Sequence, residues 1–240
     1  MLMSALSVAG SFSRGAMLAA AAMALFLVWH SKSRFSVGAA VLLVSIGIFA
    51  FMPQSWTDRI STIRTYQDDG SALKRLNTWQ FAWNFTLDHP VLGGGYNVFQ
   101  SEEAYMRYAP RYDEGWIFQD AHSNYLKVLA EHGFFGLTLF LLIFVAAWRR
   151  ARKAMQWSKG FSPGSEQHNL GVLAKMLQAS IIAYMVGGSF LGLCYFDLPY
   201  NIVGLCVVLS TVAVQSSTTT SEVASITGTL EKKPSGSSPV

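Results

Sequence analysis

Two polar residues stand where their apolar surroundings do not explain them. Arg14 lies near the start of an apolar run, and His122 sits just ahead of another. An arginine inside a bilayer span costs about 2.5–3.5 kcal/mol at the centre on insertion scales, and less toward an end. Two readings therefore fit Arg14: a side chain that snorkels to the interface, or a fixed cation facing a cavity that holds an anionic lipid headgroup. Guanidinium suits a diphosphate, because its planar donor fork binds two oxygens at once and stays charged. His122 also has two readings, a polar interfacial residue or a base whose imidazole accepts a proton from an attacking hydroxyl. The remaining histidines carry less. His89 precedes Pro90 at a helix end, His132 is interfacial beside Glu131, and His30 and His168 fall on the other side of the membrane. No HExxH or paired CxxC spacing occurs, so a metal site is not expected.

The elements that must position these two residues follow from composition. Hydrophobic residues make up 51% of the 240 and charged ones only 13%, against about 25% charged in a soluble domain. So few charges cannot cover a globule, which excludes a soluble enzyme. The net charge of +4 raises the question of nucleic acid, but the basic residues sit at the ends of apolar runs and form no stripe. Nucleic acid is not an expected partner. Cys194 and Cys206 lie in or beside apolar segments and frame no disulfide network.

A spanning helix needs roughly 20 apolar residues. Five segments approach that: 11–29, 37–52, 124–148, 170–193 and 198–214. Lys32 and Arg34 separate the first two, and Arg149, Arg150, Arg152, Lys153 and Lys159 separate the third and fourth. Basic residues in short loops stay cytoplasmic, so residues 53–123 face outward. The chain is thus predicted to be an all-α polytopic integral membrane protein. Transmembrane helices 1 and 2 occupy 1–52, a cap loop 53–123, helices 3 to 5 124–214, and a disordered cytoplasmic tail 215–240.

The cap is rich in aromatics, among them Trp56, Tyr66, Tyr112 and Trp116, which marks it as folded. Ser71 starts a predicted helix that runs to Asp88 and stops at His89-Pro90. Leu76, Trp79, Trp83 and Leu87 repeat at helical spacing, which suits a helix lying on the bilayer surface with its tryptophans at headgroup depth. Arg75 and Trp79 are four residues apart and share a face. Gly93, Gly94 and Gly95 read as a flexible turn; no strand precedes them, so a nucleotide-binding loop is excluded.

These residues also carry a resemblance. Ser13-Arg14-Gly15-Ala16 opening a span, Arg75 with Trp79, His89-Pro90 with Leu92-Gly93-Gly94-Gly95, His122-Ser123-Asn124-Tyr125-Leu126, and Glu131-His132-Gly133-Phe134-Phe135-Gly136 together resemble the O-antigen ligase and polymerase superfamily. The closest likeness is to the O-glycosylation ligases that accompany exosortase systems in Gram-negative bacteria, over about residues 11–150. The resemblance implies a GT-C-like helical fold in the bacterial inner membrane and an active site facing the periplasm. It implies transfer of a glycan from undecaprenyl diphosphate to the hydroxyl of an acceptor lipid, polysaccharide or protein, without a cofactor. Arg14, Arg75 and His122 match the catalytic positions. Arg107, Arg111, Trp79 and Tyr125 are the accompanying substrate-binding candidates, and Ser123 stands where the family usually has asparagine. Two alternatives stay open: a polymerase of the same superfamily, and a non-catalytic membrane fragment. The resemblance implies about twice this many spans, so the chain is expected to be the C-terminal portion, with an N-terminal transmembrane half as a partner.

Overall fold

The computed structural model describes residues 13–31, 33–50, 70–111 and 120–231, and every regular element among them is helical. Helix α1 runs Arg14–Trp29 and α2 Arg34–Ala50. The cap contributes α3, Gly70–Asp88, a 3₁₀ turn at Val98–Gln100, and α4, Glu102–Tyr108. Three long helices follow: α5, Asn124–Ser158, α6, Glu166–Gly187, and α7, Asp197–Glu231. The expectations for Trp56, Tyr66, Tyr112 and Trp116 lie outside the described residues.

Among the described residues, three stretches are long and apolar enough to cross a membrane: Asn124–Ser158, Glu166–Gly187 and Asp197–Ser216. At 1.5 Å per residue, α1 and α2 reach only about 24 and 26 Å against a hydrocarbon core of about 30 Å. Of the five predicted spans, three have the length for a crossing among the described residues, and the first two contain shorter apolar helices there. The tail departs from expectation as well. Instead of becoming disordered after residue 214, α7 continues to Glu231, because extending an existing helix adds a hydrogen bond per residue with no new nucleation step.

By internal packing the chain divides into two compact units, residues 1–145 with 179–200, and residues 146–178 with 201–240. In the first, α3 ends at His89-Pro90 as its sequence signals, since proline cannot continue the hydrogen-bond ladder. One face of α3 is buried, with Phe81 and Ala82 fully enclosed and Phe85 packed beside Val98, Phe99, Tyr105, Ala121 and Ala130. The Phe81 and Tyr105 rings stack at 4.4 Å. Tyr105 also shares a 2.7 Å hydrogen bond with Thr78, and burial pushes its hydroxyl above the usual phenol range. The opposite face leaves Leu76, Trp83 and Leu87 exposed, three of the four residues expected to meet the bilayer; the fourth, Trp79, is half-buried.

The triple glycine is not a flexible turn. Gly94 and Gly95 donate their backbone N–H groups to the carbonyls of Ala130 and Glu131 at 2.9 and 2.8 Å, and Phe134 donates to Pro90 at 2.8 Å. Gly93, at φ 65°, lies so close to α5 that a Cβ would stand 2.6 Å from the Ala130 oxygen. On the other side of this contact α5 is kinked at Gly133 (φ 65°, ψ −169°), where a Cβ would stand 2.4 Å from the Val91 oxygen. That backbone region is essentially reserved for glycine. The absence of side chains is used here for close docking.

The second unit is simpler. Ala147, Ala151, Ala154 and Ala174 are buried in it, and Gly171 faces Ser158 so closely that any side chain would collide with the hydroxyl. Small residues at helix contacts are the usual means of close approach in a membrane, where lipid removes the hydrophobic incentive to associate.

Candidate active site

The site forms at the start of α1. Ser13 is its N-cap, with its hydroxyl accepting the Ala16 N–H at 3.3 Å; this satisfies one of the free donors that every helix start presents. Gly15 is buried, and a Cβ there would stand 3.0 Å from the Phe190 side chain. The Ser-Arg-Gly-Ala run is thus a cap, a first helical residue, and a small residue that admits the segment following α6. Arg14 opens the helix, and its side chain lies outside the described atoms. A cavity of about 360 Å³ adjoins this helix start, lined by Ser13, Gly15, Ala16, Asn124, Tyr184, Gly188, Leu191 and Leu193 among others.

Asn124 ties the far wall of that cavity together. Its backbone N–H donates to the Gly188 carbonyl, and its side-chain oxygen accepts the Leu193 N–H, both at 2.7 Å. The side chain is 1% exposed, so both bonds are made in a desolvated setting where a lost partner costs about 1–3 kcal/mol.

His122 lies two residues before Asn124 with φ 47°, a left-handed conformation uncommon for a residue with a Cβ. Its neighbours hold it there. Ala121 and Ser123 are buried, and the Trp79 indole donates to the Ala121 carbonyl at 2.8 Å. The imidazole itself is half-buried and has no hydrogen-bond partner among the described residues. Strained backbone held by its surroundings is a common arrangement at reactive positions.

The remaining candidates divide sharply by place. Arg75 is half-buried one turn before Trp79 on α3, with no partner among the described residues. Arg111 reaches the same end of α3 through its backbone: its N–H and carbonyl both bond the Asn77 side chain at 3.0 Å, leaving the guanidinium exposed. Arg107 does not reach it. It sits 5.3 Å from the Tyr108 ring centroid, and Tyr108 donates to Asp88 at the other end of α3, about 14 Å along the axis from Trp79. That bond raises the exposed Tyr108 hydroxyl above its usual range. Tyr125 gives its hydroxyl to the Met185 carbonyl, and Asp120 pairs with Lys127 at 2.8 Å.

Trp79, a substrate-binding candidate from the sequence, has a structural bond that supports the His122 segment. Asn77 and Tyr195 were not singled out from sequence at all. Asn77 carries no local signal, being an ordinary polar residue in a helix, and Tyr195 meets its partner Glu131 across 64 positions.

A model described as O-antigen ligase matches residues 1–141, more than half of the chain. No curated protein and no solved structure matches it.

Proposed function

The chain belongs to the O-antigen ligase family, and on that premise we propose that it is a membrane glycosyltransferase moving a glycan from undecaprenyl diphosphate to an acceptor hydroxyl at the periplasmic face. The observation that carries this reading is the shared cavity. The start of the Arg14 helix and Asn124, two residues after His122, line one space, although they are more than a hundred residues apart in sequence.

The chemistry assigns each group a part. A sugar or lipid hydroxyl is a poor nucleophile, so His122 takes its proton as the oxygen attacks the anomeric carbon. The bond from that carbon to the diphosphate oxygen breaks, and the lipid diphosphate leaves carrying the electron pair. Its growing negative charge is met by the guanidinium groups of Arg14 and Arg75, which are fixed and permanently charged. The proton on His122 then passes to water. Arg111, at the Arg75 end of α3, is the better placed of the two assisting arginines. The basic residues Arg149 to Lys159 favour a cytoplasmic side for their loop, and this supports a periplasmic cap and cavity.

The test is transfer by the full chain, together with any N-terminal half it requires, in vesicles supplied with a lipid-linked glycan donor. His122→Ala is expected to lower turnover at least a hundredfold at normal membrane insertion, and Arg14→Lys to impair it severely because an ammonium cannot make the two-point contact. Full activity in His122→Ala overturns the base assignment. Glycan attached once to a lipid, polysaccharide or protein acceptor would identify a ligase; product that grows by successive donor repeats would instead identify a polymerase.

A further inference from the structure

The segment 188–196, which joins α6 to α7, has no helix of its own and lies beyond the residues the family model matches. Three residues at i, i+3 and i+7 on one face of α5 meet it. Asn124 bonds Gly188 and Leu193 as described, the Lys127 ammonium lies 5.8 Å from the centroid of the Tyr195 ring, and Glu131 accepts the Tyr195 hydroxyl on Oε2. Glu131 is only 2% exposed. Its other oxygen accepts the Asn97 N–H at 3.3 Å, from the turn that follows the three glycines. The Tyr195 hydroxyl donates its one hydrogen to Glu131 as a hydrogen bond, so it accepts from His132 Nε2 at 2.9 Å. Tyr96 closes the group, its ring edge-on to His132 at 4.9 Å and to Tyr195 at 5.3 Å. A buried carboxylate in a membrane helix is expensive unless fully bonded, and here one phenol supplies the principal donor.

We propose that Tyr195, acting through Glu131, is a positioning residue that clamps segment 188–196 as a wall of the donor cavity, so that the site extends beyond the family-matched region. This rests on the transferase reading above. The connection to the cavity is direct, because Gly188, Leu191 and Leu193 of the clamped segment line it. The segment does not depend on the clamp alone: Tyr184 and Tyr200 give their hydroxyls to the carbonyls of Leu193 and Cys194. Removing the Tyr195 hydroxyl therefore loosens the wall without unfolding it.

Cys194 is a built-in reporter. It is buried beside the clamp, and burial pushes its thiol up to about 11, so it is unreactive while the wall is in place. In full-length protein carrying Cys206→Ala, Tyr195→Phe is expected to raise the rate of Cys194 alkylation by maleimide about tenfold, the factor expected for one lost bond to a charged acceptor. Glu131→Gln, which keeps an oxygen acceptor, is expected to give a smaller rise. In the transfer assay Tyr195→Phe is expected to raise KM for the lipid-linked donor several-fold with kcat little changed, whereas a loss of folded protein would lower the maximal rate and leave KM alone. Alkylation at the wild-type rate overturns the clamp. Faster alkylation with an unchanged donor KM overturns its role in the site. If wild type shows no transfer, the transferase reading falls and with it the clamp's role there; alkylation still decides whether the clamp exists.

Discussion

The two compact units solve the same packing problem with different chemistry. In the unit of residues 146–178 and 201–240, helices meet through alanine, glycine and serine, with side-chain bonds such as Arg150 to Ser210 at 3.3 Å and Gln178 to the Trp148 carbonyl at 3.4 Å running between regular helices. In the other unit, irregular backbone is held in place by side chains, through Trp79 on Ala121, Asn77 on Arg111, Asn124 on Leu193 and Tyr195 on Glu131. Regular helices satisfy their own backbone and need only close approach. A site needs backbone that leaves the helix, and every such N–H and carbonyl must then find a partner elsewhere. Irregular backbone held by distant side chains is what the unit containing the proposed site adds.

The comparison can be broken most severely at Gly133. Gly133→Ala forces a Cβ into a glycine-only conformation and against the Val91 carbonyl. Strain alone is expected to cost about 1–3 kcal/mol, and the lowered thermal midpoint of the detergent-solubilised protein would report it; an unchanged midpoint would show the docked turn to be dispensable. Next comes Trp79→Phe, which keeps the ring but strips the Ala121 carbonyl of its donor. Turnover is expected to fall roughly tenfold, in line with an unmet buried acceptor, while Trp83→Phe on the exposed face changes stability by less than about 0.5 kcal/mol. Equal effects at the two tryptophans would erase the distinction between the faces of α3. In the other unit, Ala151→Leu overfills a fully buried position and is expected to lower stability by about 1–3 kcal/mol with transfer per folded molecule preserved. Smallest of all is Gln178→Met. The Gln178 Oε1 is buried with no partner among the described residues, so the swap is expected to be neutral or slightly stabilising by unfolding measurements.

Some of this was legible from residues in order. Pro90 announced the end of α3, the apolar runs announced the long helices, and Ser13-Arg14-Gly15-Ala16 announced a helix start. Glycine run 93–95 misled, because the property that permits flexibility also permits backbone to lie against backbone, and nothing local tells the two apart. The Ser/Thr-rich stretch after residue 214 misled in the other direction, since composition alone does not register that a helix already under way propagates easily. The Trp79 ring was visible in the sequence, but the Ala121 carbonyl it bonds, 42 positions away, was not.

What the sequence determined by itself is therefore whatever depends on neighbours along the chain: apolar length, helical period, stop signals and the sorting of basic residues. The tertiary structure decided which polar atoms meet. The bonds that shape the site join residues 42, 64 and 69 positions apart. A hydrogen bond acts only within about 3 Å, so such a pairing is set by the path of the folded backbone, which only the packed helices define.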